Sequence, residues 1–375
     1  MRRLLNVTAA VLLVLTTVPA VASASVKAVD LGVLPGGEYS FANGIGNAGT
    51  VVGYANTDDD LVHAVSWTPD NRITDLGTLP GDVGSSATGV NDRGVVYGNS
   101  YAESGRGRAV RWVDRVIQEL PPLPGHVETL ASAINEAGTV VGVSVGADYT
   151  DEHAVAWDRS GRVVRLAELP GDQVSQAIGI NDAGLIVGYS GRYGTIADLH
   201  AVVWTPDGSV TPLVFDGSNA GAAEGIEDTG VVAATIVDRD NRLHAVRFDS
   251  DGRGTDLGAG LRATGIGEDG TVLGTRSDRG ALHGARWRPG TVEPEFLTVG
   301  YAVAAVSRTG VTVGTTRGAG TTSRAMAWTP DGDSGTRLPS LGGPSSSASA
   351  VNDHNVAVGS AEITRGVRHA VKWHL

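Results

Sequence analysis

Apolar residues are grouped along this chain in short stretches that are separated by turn residues. One representative set occupies residues 75–79, 87–91, 95–98 and 108–112. Each group has the length of a β-strand. Beyond residue 25 the chain shows no apolar period of 3.6 residues, which an amphipathic helix would require. The pattern predicts four strands per repeat and essentially no helix.

One aromatic residue marks each copy of the repeat, at steps of 39 to 47 residues. Repeats of this length with four strands are typical of β-propeller blades. A single large aromatic side chain per blade, always on the same strand, suits packing between blades better than ligand binding. These residues are assigned to the core: Trp67, Trp112, Trp157, Trp204, Phe248, Trp287, Trp328 and Trp373.

The four strands of a copy are named A to D, and each has its own signature. Strand A reads Ala-x-Gly-Ile-Asn, strand B Val-Val-Gly, strand C His-Ala-Val-x-Trp and strand D Asp-Leu-Gly. An Asn-Asp-x-Gly turn joins A to B, and its last residue is expected to have a positive φ. That position holds Gly49, Gly94, Gly138, Gly184, Gly230, Gly270, Gly310 and Asn355.

The two ends of the repeat array complement each other. Residues 349–373 supply strands A, B and C without a D strand, whereas residues 27–34 form a lone D strand. Pairing them would close a ring and leave no major open sheet edge. The prediction is an all-β, eight-bladed propeller of four-stranded antiparallel blades, closed by the N-terminal strand; seven blades with one irregular repeat is the alternative.

The N-terminal residues are typical of a secretory signal peptide. Arg2 and Arg3 precede an apolar run over 7–15, and Ala22-Ser23-Ala24 provides a small-x-small cleavage site. The run is shorter than the about 20 residues that a membrane span needs. We expect cleavage after Ala24, a signal peptide at 1–24, a single propeller domain at 25–375 and a secreted protein without a transmembrane segment.

Composition narrows the range of partners. The formal net charge is −12, and loss of two arginines with the signal peptide lowers it to −14. Such a surface repels phosphate backbones, so no nucleic-acid partner is expected. The chain has no cysteine, which excludes thiol chemistry and a disulfide-dependent fold. We expect a monomer.

Residues 75–81, 153–157 and 179–184 resemble the HAF-type extracellular repeat of bacterial exported proteins. The similarity covers nearly all of 25–375. The chain carries Val where that motif usually has Phe, as at Val65, Val110 and Val155. The resemblance implies secretion and a propeller-like repeat, and it assigns no catalytic residue.

Histidines open strand C in six copies, a pattern that superficially suggests metal ligands. Arg108 and Arg324 occupy the same position in two other copies, and arginine cannot ligate a metal. We interpret these side chains as hydrogen-bond donors to a carbonyl of a neighbouring strand. The acidic run at 58–60 and the pair Asp238 and Asp240 lack the spacing of a calcium loop. Neither a metal nor a cofactor is expected. The six histidines that open strand C are His63, His153, His200, His244, His283 and His369.

Variable segments between strands B and C are the best candidates for ligand binding. In a propeller blade the B-to-C and D-to-A connections share one face, and loops on a rigid scaffold concentrate binding residues. Tyrosine offers contact area with a polar tip. The candidate ligand-binding residues are Tyr101, Tyr149, Tyr193, Asp58, Asp151 and Arg192.

Three function classes follow. The leading hypothesis is a secreted, non-catalytic recognition or scaffold protein that binds a glycan, a cell-wall polymer or an extracellular protein. The first alternative is a polysaccharide lyase or hydrolase, and the second is a purely structural envelope protein. The sequence has no catalytic signature; an enzyme would draw its residues from separate loops, such as His126, Asp151, Glu152, Arg192 and Asp198.

Overall fold

The computed structural model describes residues 26–278, 281–297, 303–317, 320–330, 332, 335–364 and 366–375. The predicted signal peptide and its cleavage site after Ala24 lie outside these residues. The described chain forms 32 strands and one three-residue 3₁₀ turn, Ile196–Asp198, in the B-to-C loop of the fourth blade. Among the described residues, no helix is long and apolar enough to cross a bilayer. The all-β prediction is confirmed.

The strands follow the A-to-D order of the repeat, after an initial strand β1 (Ala28–Asp30). Blade 1 contains β2 (Ser40–Ile45), β3 (Val51–Asn56), β4 (Val62–Trp67) and β5 (Ile73–Gly77). Blade 2 contains β6 (Asp82–Val90), β7 (Val96–Ala102), β8 (Gly107–Val113) and β9 (Val116–Glu119). Blade 3 contains β10 (His126–Ile134), β11 (Val140–Gly146), β12 (Glu152–Trp157) and β13 (Val163–Arg165). Blade 4 contains β14 (Val174–Ile180), β15 (Ile186–Gly191), β16 (Leu199–Trp204) and β17 (Val210–Pro212).

The second half of the chain repeats this order. Blade 5 contains β18 (Gly221–Ile226), β19 (Val232–Val237), β20 (Leu243–Phe248) and β21 (Gly254–Ala259). Blade 6 contains β22 (Leu261–Ile266), β23 (Val272–Asp278), β24 (Ala281–Trp287) and β25 (Glu295–Phe296). Blade 7 contains β26 (Val303–Val306), β27 (Thr312–Arg317), β28 (Ser323–Trp328) and β29 (Thr336–Arg337). Blade 8 contains β30 (Ser346–Val351), β31 (Val356–Thr364) and β32 (Val367–His374).

Blade 8 takes its fourth strand from the other end of the chain. β1 pairs antiparallel with β32, with Ala28 opposite Trp373 and Asp30 opposite Val371. The sheet order β1-β32-β31-β30 is therefore a complete blade. Blades 1 and 2 are additionally linked by one parallel bridge between Val62 and Gly84. The prediction of eight blades closed by the N-terminal strand is confirmed, and the seven-blade alternative is wrong.

Every strand A carries a β-bulge, and the glycine of strand B lies opposite it in most blades. In blade 1 the register shifts between Ala42 and Gly44, and Gly53 pairs with Ala42. A Cβ atom on Gly53 would collide with the carbonyl oxygen of Phe41. The Val-Val-Gly signature therefore reflects close backbone approach at the bulge, which increases the local twist of the blade.

The connections divide between two faces of the ring. The glycines that end the A-to-B turns have φ between 79° and 92°, and Asn355 has φ 57°. A Cβ atom on Gly49 of such a turn would touch Pro69 of the C-to-D turn. Both kinds of turn therefore lie on one side, which we call the turn face. The B-to-C and D-to-A connections meet on the other side, the loop face, where Asp58 contacts Gly36.

The aromatic residue of strand C lies in the core between blades. All seven tryptophans and Phe248 are at most 1% exposed. Trp112 of blade 2 packs beside Leu76 of blade 1, and its Nε1–H donates to the Leu76 carbonyl oxygen at 2.8 Å. Equivalent bonds from later tryptophans also reach the preceding blade, as from Trp157 to the Pro121 carbonyl at 2.8 Å. Five of the tryptophans therefore fix their blades to the one before by this bond.

Candidate functional site

A central cavity of about 500 Å³ opens on the turn face. Every blade contributes the second residue of its A-to-B turn to the lining of this cavity. We call these eight residues the acidic ring, because six of them are carboxylates. In blade order they are Asn47, Asp92, Glu136, Asp182, Asp228, Glu268, Arg308 and Asp353.

The acidic ring is held by hydrogen bonds that run from blade to blade. The backbone N–H of Asn47 donates to Asp92 Oδ1 at 2.8 Å, and the N–H of Asp92 donates to Glu136 Oε1 at 2.7 Å. The same bond recurs at five further junctions, at 2.7 to 3.1 Å. These contacts satisfy backbone donors at the centre of the ring. The acidic residue that recurs at the second position of the turn therefore has a structural role.

One member of the acidic ring is electrostatically unusual. Glu268 lies next to Asp228, and partial burial followed by the Asp228 carboxylate raises the pKa of Glu268 to about 7. Arg308 opposes this effect, since its guanidinium lies 3.8 Å from Glu268 and 3.5 Å from Asp228. The cavity therefore contains a carboxyl group that titrates near neutral pH.

Sequence reasoning assigned the Asn-Asp-x-Gly motif to hairpin geometry alone and missed the acidic ring. The available signal was the second position of the motif, which is acidic in six of eight copies although the turn needs only its glycine. An acid repeated at one turn position of a closed ring must converge on the axis of that ring.

The loop face of blade 3 carries a second polar group of residues. His126 begins strand A, Asp151 ends the B-to-C loop and His153 lies on strand C. His153 Nε2 lies 2.6 Å from Asp151 Oδ1, and His126 Nε2 lies 3.3 Å from Asp151 Oδ2. Both histidine side chains are 7% exposed, whereas that of Asp151 is 53% exposed. We call these three residues the blade 3 cluster.

Two of the predicted ligand-binding tyrosines meet beside this cluster. The Tyr193 hydroxyl, from the B-to-C loop of blade 4, donates to the Tyr149 carbonyl oxygen at 2.9 Å. Tyr149 and Tyr193 are both about half exposed. Partial burial and the nearby Glu152 carboxylate raise the pKa of Tyr193, which keeps its hydroxyl protonated as a donor. Two half-exposed tyrosines therefore belong to adjoining loops on the loop face of blades 3 and 4.

The remaining predicted site residues lie apart from this surface or are already bonded. Tyr101 is half-buried in blade 2, where burial and the Glu128 carboxylate raise its pKa. Asp58 lies in blade 1, two blades from the cluster. Arg192 is in blade 4, but its Nε and Nη2 both donate to the Gly171 carbonyl oxygen at 3.3 and 3.2 Å.

The residues named for an enzyme do not form one centre. His126 and Asp151 meet in the blade 3 cluster, and Glu152 lies next to them in the sequence and near Tyr193. Asp198 instead caps its own 3₁₀ turn by accepting from the backbone N–H of Thr195 at 2.7 Å.

Five of the six strand C histidines contact carboxylates rather than the expected carbonyl groups. His63 Nδ1 lies 2.9 Å from Asp75 Oδ2, and the Asp belongs to the Asp-Leu-Gly of strand D. His244 contacts Asp256 in the same way, and His369 contacts Asp30. In these three blades the acceptor is a side chain because strand D ends beside the start of strand C, where its Asp faces the imidazole. The pairing explains why both signatures recur together.

Solved structures with a similar fold are propeller proteins. A puromycin-hydrolyzing peptidase from Mycobacterium tuberculosis aligns with a TM-score of 0.55 at 12% identity, over 88% of this chain and 59% of the peptidase. This chain thus spans about three fifths of the peptidase's length. An oligogalacturonate lyase in complex with manganese aligns with a TM-score of 0.51 at 11% identity, over 93% of each chain. No family model and no curated protein sequence matches the chain. At these identities the similarity establishes the fold alone.

Proposed function

We propose that this chain is a secreted, non-catalytic recognition propeller that binds a neutral glycan through the loop face of blades 3 and 4. The observation that carries the proposal is the backbone of Tyr149, which has φ 59°. The proposal selects the glycan from the wider set of partners that the sequence suggests, and it places the contact at Tyr149 and Tyr193.

Tyr149 occupies a turn position that other blades fill with residues suited to it. In blades 1, 2 and 5 the corresponding third residue after the start of the turn is Asp60, Gly105 and Asn241. These residue types adopt a positive φ easily, whereas an aromatic residue there is strained. Strain of this kind is often retained for function. The Tyr149 side chain is about half exposed, and its carbonyl oxygen accepts the hydrogen bond from the Tyr193 hydroxyl.

The charge around the two tyrosines favours a neutral ligand. Asp148 and Glu152 contribute to the electrostatic environment of Tyr193, and Asp151 lies in the same loop as Tyr149. Carboxylates accept hydrogen bonds from sugar hydroxyls, while the apolar C–H face of a sugar ring packs on an aromatic ring. An acidic polymer would be repelled here, and Arg192 is already bonded to Gly171. The surface therefore suits an uncharged polysaccharide.

A glycan array and titration of the 25–375 protein test this proposal. We expect binding to neutral glycans, and we expect Tyr149→Asn and Tyr193→Ala each to weaken it by about tenfold or more, because one aromatic contact is lost. Tyr101→Ala in blade 2 is the matched control and should bind normally. Retention of full affinity by both loop variants, or binding restricted to acidic polymers, would refute the proposal.

We also propose that the repeats are HAF-type extracellular repeats and that the protein is exported. The repeat motifs and the N-terminal 24 residues support this. Mass spectrometry of the protein secreted by its native host should find a mature N-terminus at Ser25. Recovery of the intact chain in the cytoplasmic fraction alone would contradict it.

A second candidate is a glycoside hydrolase that works in the central cavity. Asp228 and Glu268 lie side by side there with Arg308, and paired carboxylates can serve acid–base chemistry. Release of reducing ends from a polysaccharide, abolished by Glu268→Gln, would establish this activity. The proposed glycan binding does not require it. A regular array in place of a monomer on size-exclusion chromatography would instead favour a structural envelope role.

A further inference from the structure

Blade 3 departs from its neighbours where strand A begins beside strand C. The Leu-Pro-Gly-x segment before strand A ends in Asp82 in blade 2 and in Asp172 in blade 4. Asp82 pairs with Arg108 at 2.6 Å, and Asp172 pairs with His200 at 2.9 Å. Each of these blades therefore combines one nitrogen donor with one carboxylate at this place.

In blade 3 the corresponding position is His126, so two imidazoles face each other. The ring centroids of His126 and His153 lie 5.5 Å apart. The carboxylate is supplied instead by Asp151, from a loop on the solvent side. The change from Asp to His thus coincides with a new carboxylate placed between the two rings.

We propose that the blade 3 cluster binds one divalent transition-metal ion, with His126 Nε2, His153 Nε2 and a carboxylate oxygen of Asp151 as its protein ligands. The three ligand atoms lie within 4.8 Å of one another. Among the residues that the structure describes, no other group of three or more possible ligands lies this close together. Zinc ligands at about 2.0 to 2.2 Å from the metal are about 3.4 Å apart in tetrahedral geometry. The 3.3 Å between His126 Nε2 and Asp151 Oδ2 already matches this spacing, whereas the 2.6 Å between His153 Nε2 and Asp151 Oδ1 must lengthen. Asp151 is exposed enough to move.

The other nitrogen of each histidine has a partner that suits metal binding. His153 Nδ1 lies 2.9 Å from Glu168 Oε1, and His126 Nδ1 lies 3.1 Å from Ser144 Oγ. Donation from Nδ1–H leaves the Nε2 lone pair free for a metal, and a carboxylate behind the imidazole raises its basicity. Glu168 is itself fixed by Arg165 at 3.0 Å and by Ser175 at 2.9 Å.

The ligand set indicates the class of metal. Two imidazoles and one carboxylate suit Zn²⁺, Co²⁺ or Ni²⁺, whereas Ca²⁺ and Mg²⁺ prefer all-oxygen sites. The exposed side of Asp151 leaves further coordination positions open to water or to a ligand. The inference does not depend on glycan binding by Tyr149 and Tyr193.

Calorimetric titration of untagged, chelator-treated 25–375 protein with ZnCl₂ tests the site, together with the absorption spectrum of the Co²⁺ form. We expect one ion per chain and a rise in Tm on metal addition. His126→Ala and His153→Ala should weaken zinc binding by about 100-fold or more, and Glu168→Gln, which changes a positioning residue, by about tenfold.

His244→Gln is the matched control. His244 also contacts two carboxylates, but Asp238 lies at Nε2 and Asp256 at Nδ1, on opposite sides of the ring, so they cannot share one ion with it. This variant should bind zinc as the unchanged protein does.

His126→Asp keeps the test decisive if the alanine variants fail to fold. It restores the Asp–His pair of blade 4 and should fold, while losing one nitrogen ligand and with it the Co²⁺ spectrum of a two-histidine site. The proposal would be overturned if the unchanged protein does not bind zinc. It would also be overturned if a folded His126 variant binds zinc as tightly as the unchanged protein and gives the same Co²⁺ spectrum.

Discussion

Asn47 and Asp353 hydrogen-bond to each other twice across the junction between the first and the last blade. The Asp353 backbone N–H donates to Asn47 Oδ1, and Asn47 Nδ2 donates to Asp353 Oδ2, both at 2.9 Å. Asn47 Nδ2 also donates to Asp92 Oδ2 at 3.0 Å. One side chain therefore connects blades 8, 1 and 2 at the centre of the propeller.

Asn47→Ala should weaken this junction. The change removes bonds to two carboxylates and leaves the Asp353 N–H without its partner, which should lower the free energy of unfolding by about 2 to 3 kcal/mol. Urea unfolding followed by circular dichroism measures it. Asn219→Ala, where no side-chain bond crosses a blade junction, serves as the control. Equal midpoints for the two variants would contradict the closing role.

Trp67 and Trp112 should respond differently to the same substitution by phenylalanine. Trp112 Nε1–H donates to the Leu76 carbonyl, whereas buried Trp67 Nε1 has no partner. Both variants lose packing, but only Trp112→Phe also orphans a buried carbonyl group. We expect it to be about 1 to 3 kcal/mol more destabilising than Trp67→Phe. Thermal unfolding checks the order, and a larger loss for Trp67→Phe would disprove the reasoning.

Glu268 should make stability depend on pH. Its pKa is raised from 4.5 to about 7 in the folded protein, so the folded state holds this proton more tightly than the unfolded state. The stabilisation is complete below pH 4.5 and is lost as the pH rises through 7. Glu268→Gln stays neutral and can still accept the Asp228 N–H, so its stability relative to the unchanged protein should increase from pH 5 to pH 8.

Thermal unfolding of both proteins across that range measures this difference. Glu293→Gln, at an exposed site outside the acidic ring, is the control and should show no such trend. A gap between Glu268→Gln and the unchanged protein that stays constant from pH 5 to pH 8 would rule out the raised pKa.

Tyr149→Asn should stabilise the fold while it removes the proposed contact. Asparagine tolerates the left-handed backbone at φ 59° and stands at the same turn position in blade 5, as Asn241. Relief of strain is expected to add about 1 kcal/mol to the free energy of unfolding. Urea unfolding measures the gain. A clear loss of stability would mean that the Tyr149 side chain is part of the fold and is not strained for binding.

Much of the fold could be predicted because it depends on local, periodic constraints. The positive φ of Asn355 and the pairing of Asp30 with the last strand both follow from positions within one repeat and from the need to close a sheet edge. The contacts within the candidate sites could not be predicted in this way. The Tyr193 contact with Tyr149 joins two loops of variable length from different blades, and no repeat rule fixes how such loops approach.

The amino-acid sequence by itself determined the four-strand repeat, the order of strands and the two faces of the propeller, because each repeat encodes its own turns and core residue. The structure decided between eight and seven blades by pairing the first strand with the last. Only the tertiary structure decided which side chains converge. It assembled one turn residue from every blade into the acidic ring, and it placed Asp151 between His126 and His153. The physical reason is that these groups come together through the rotation of blades about a common axis and through loop geometry. Neither the rotation of the blades nor the geometry of the loops can be deduced from the sequence of a single repeat.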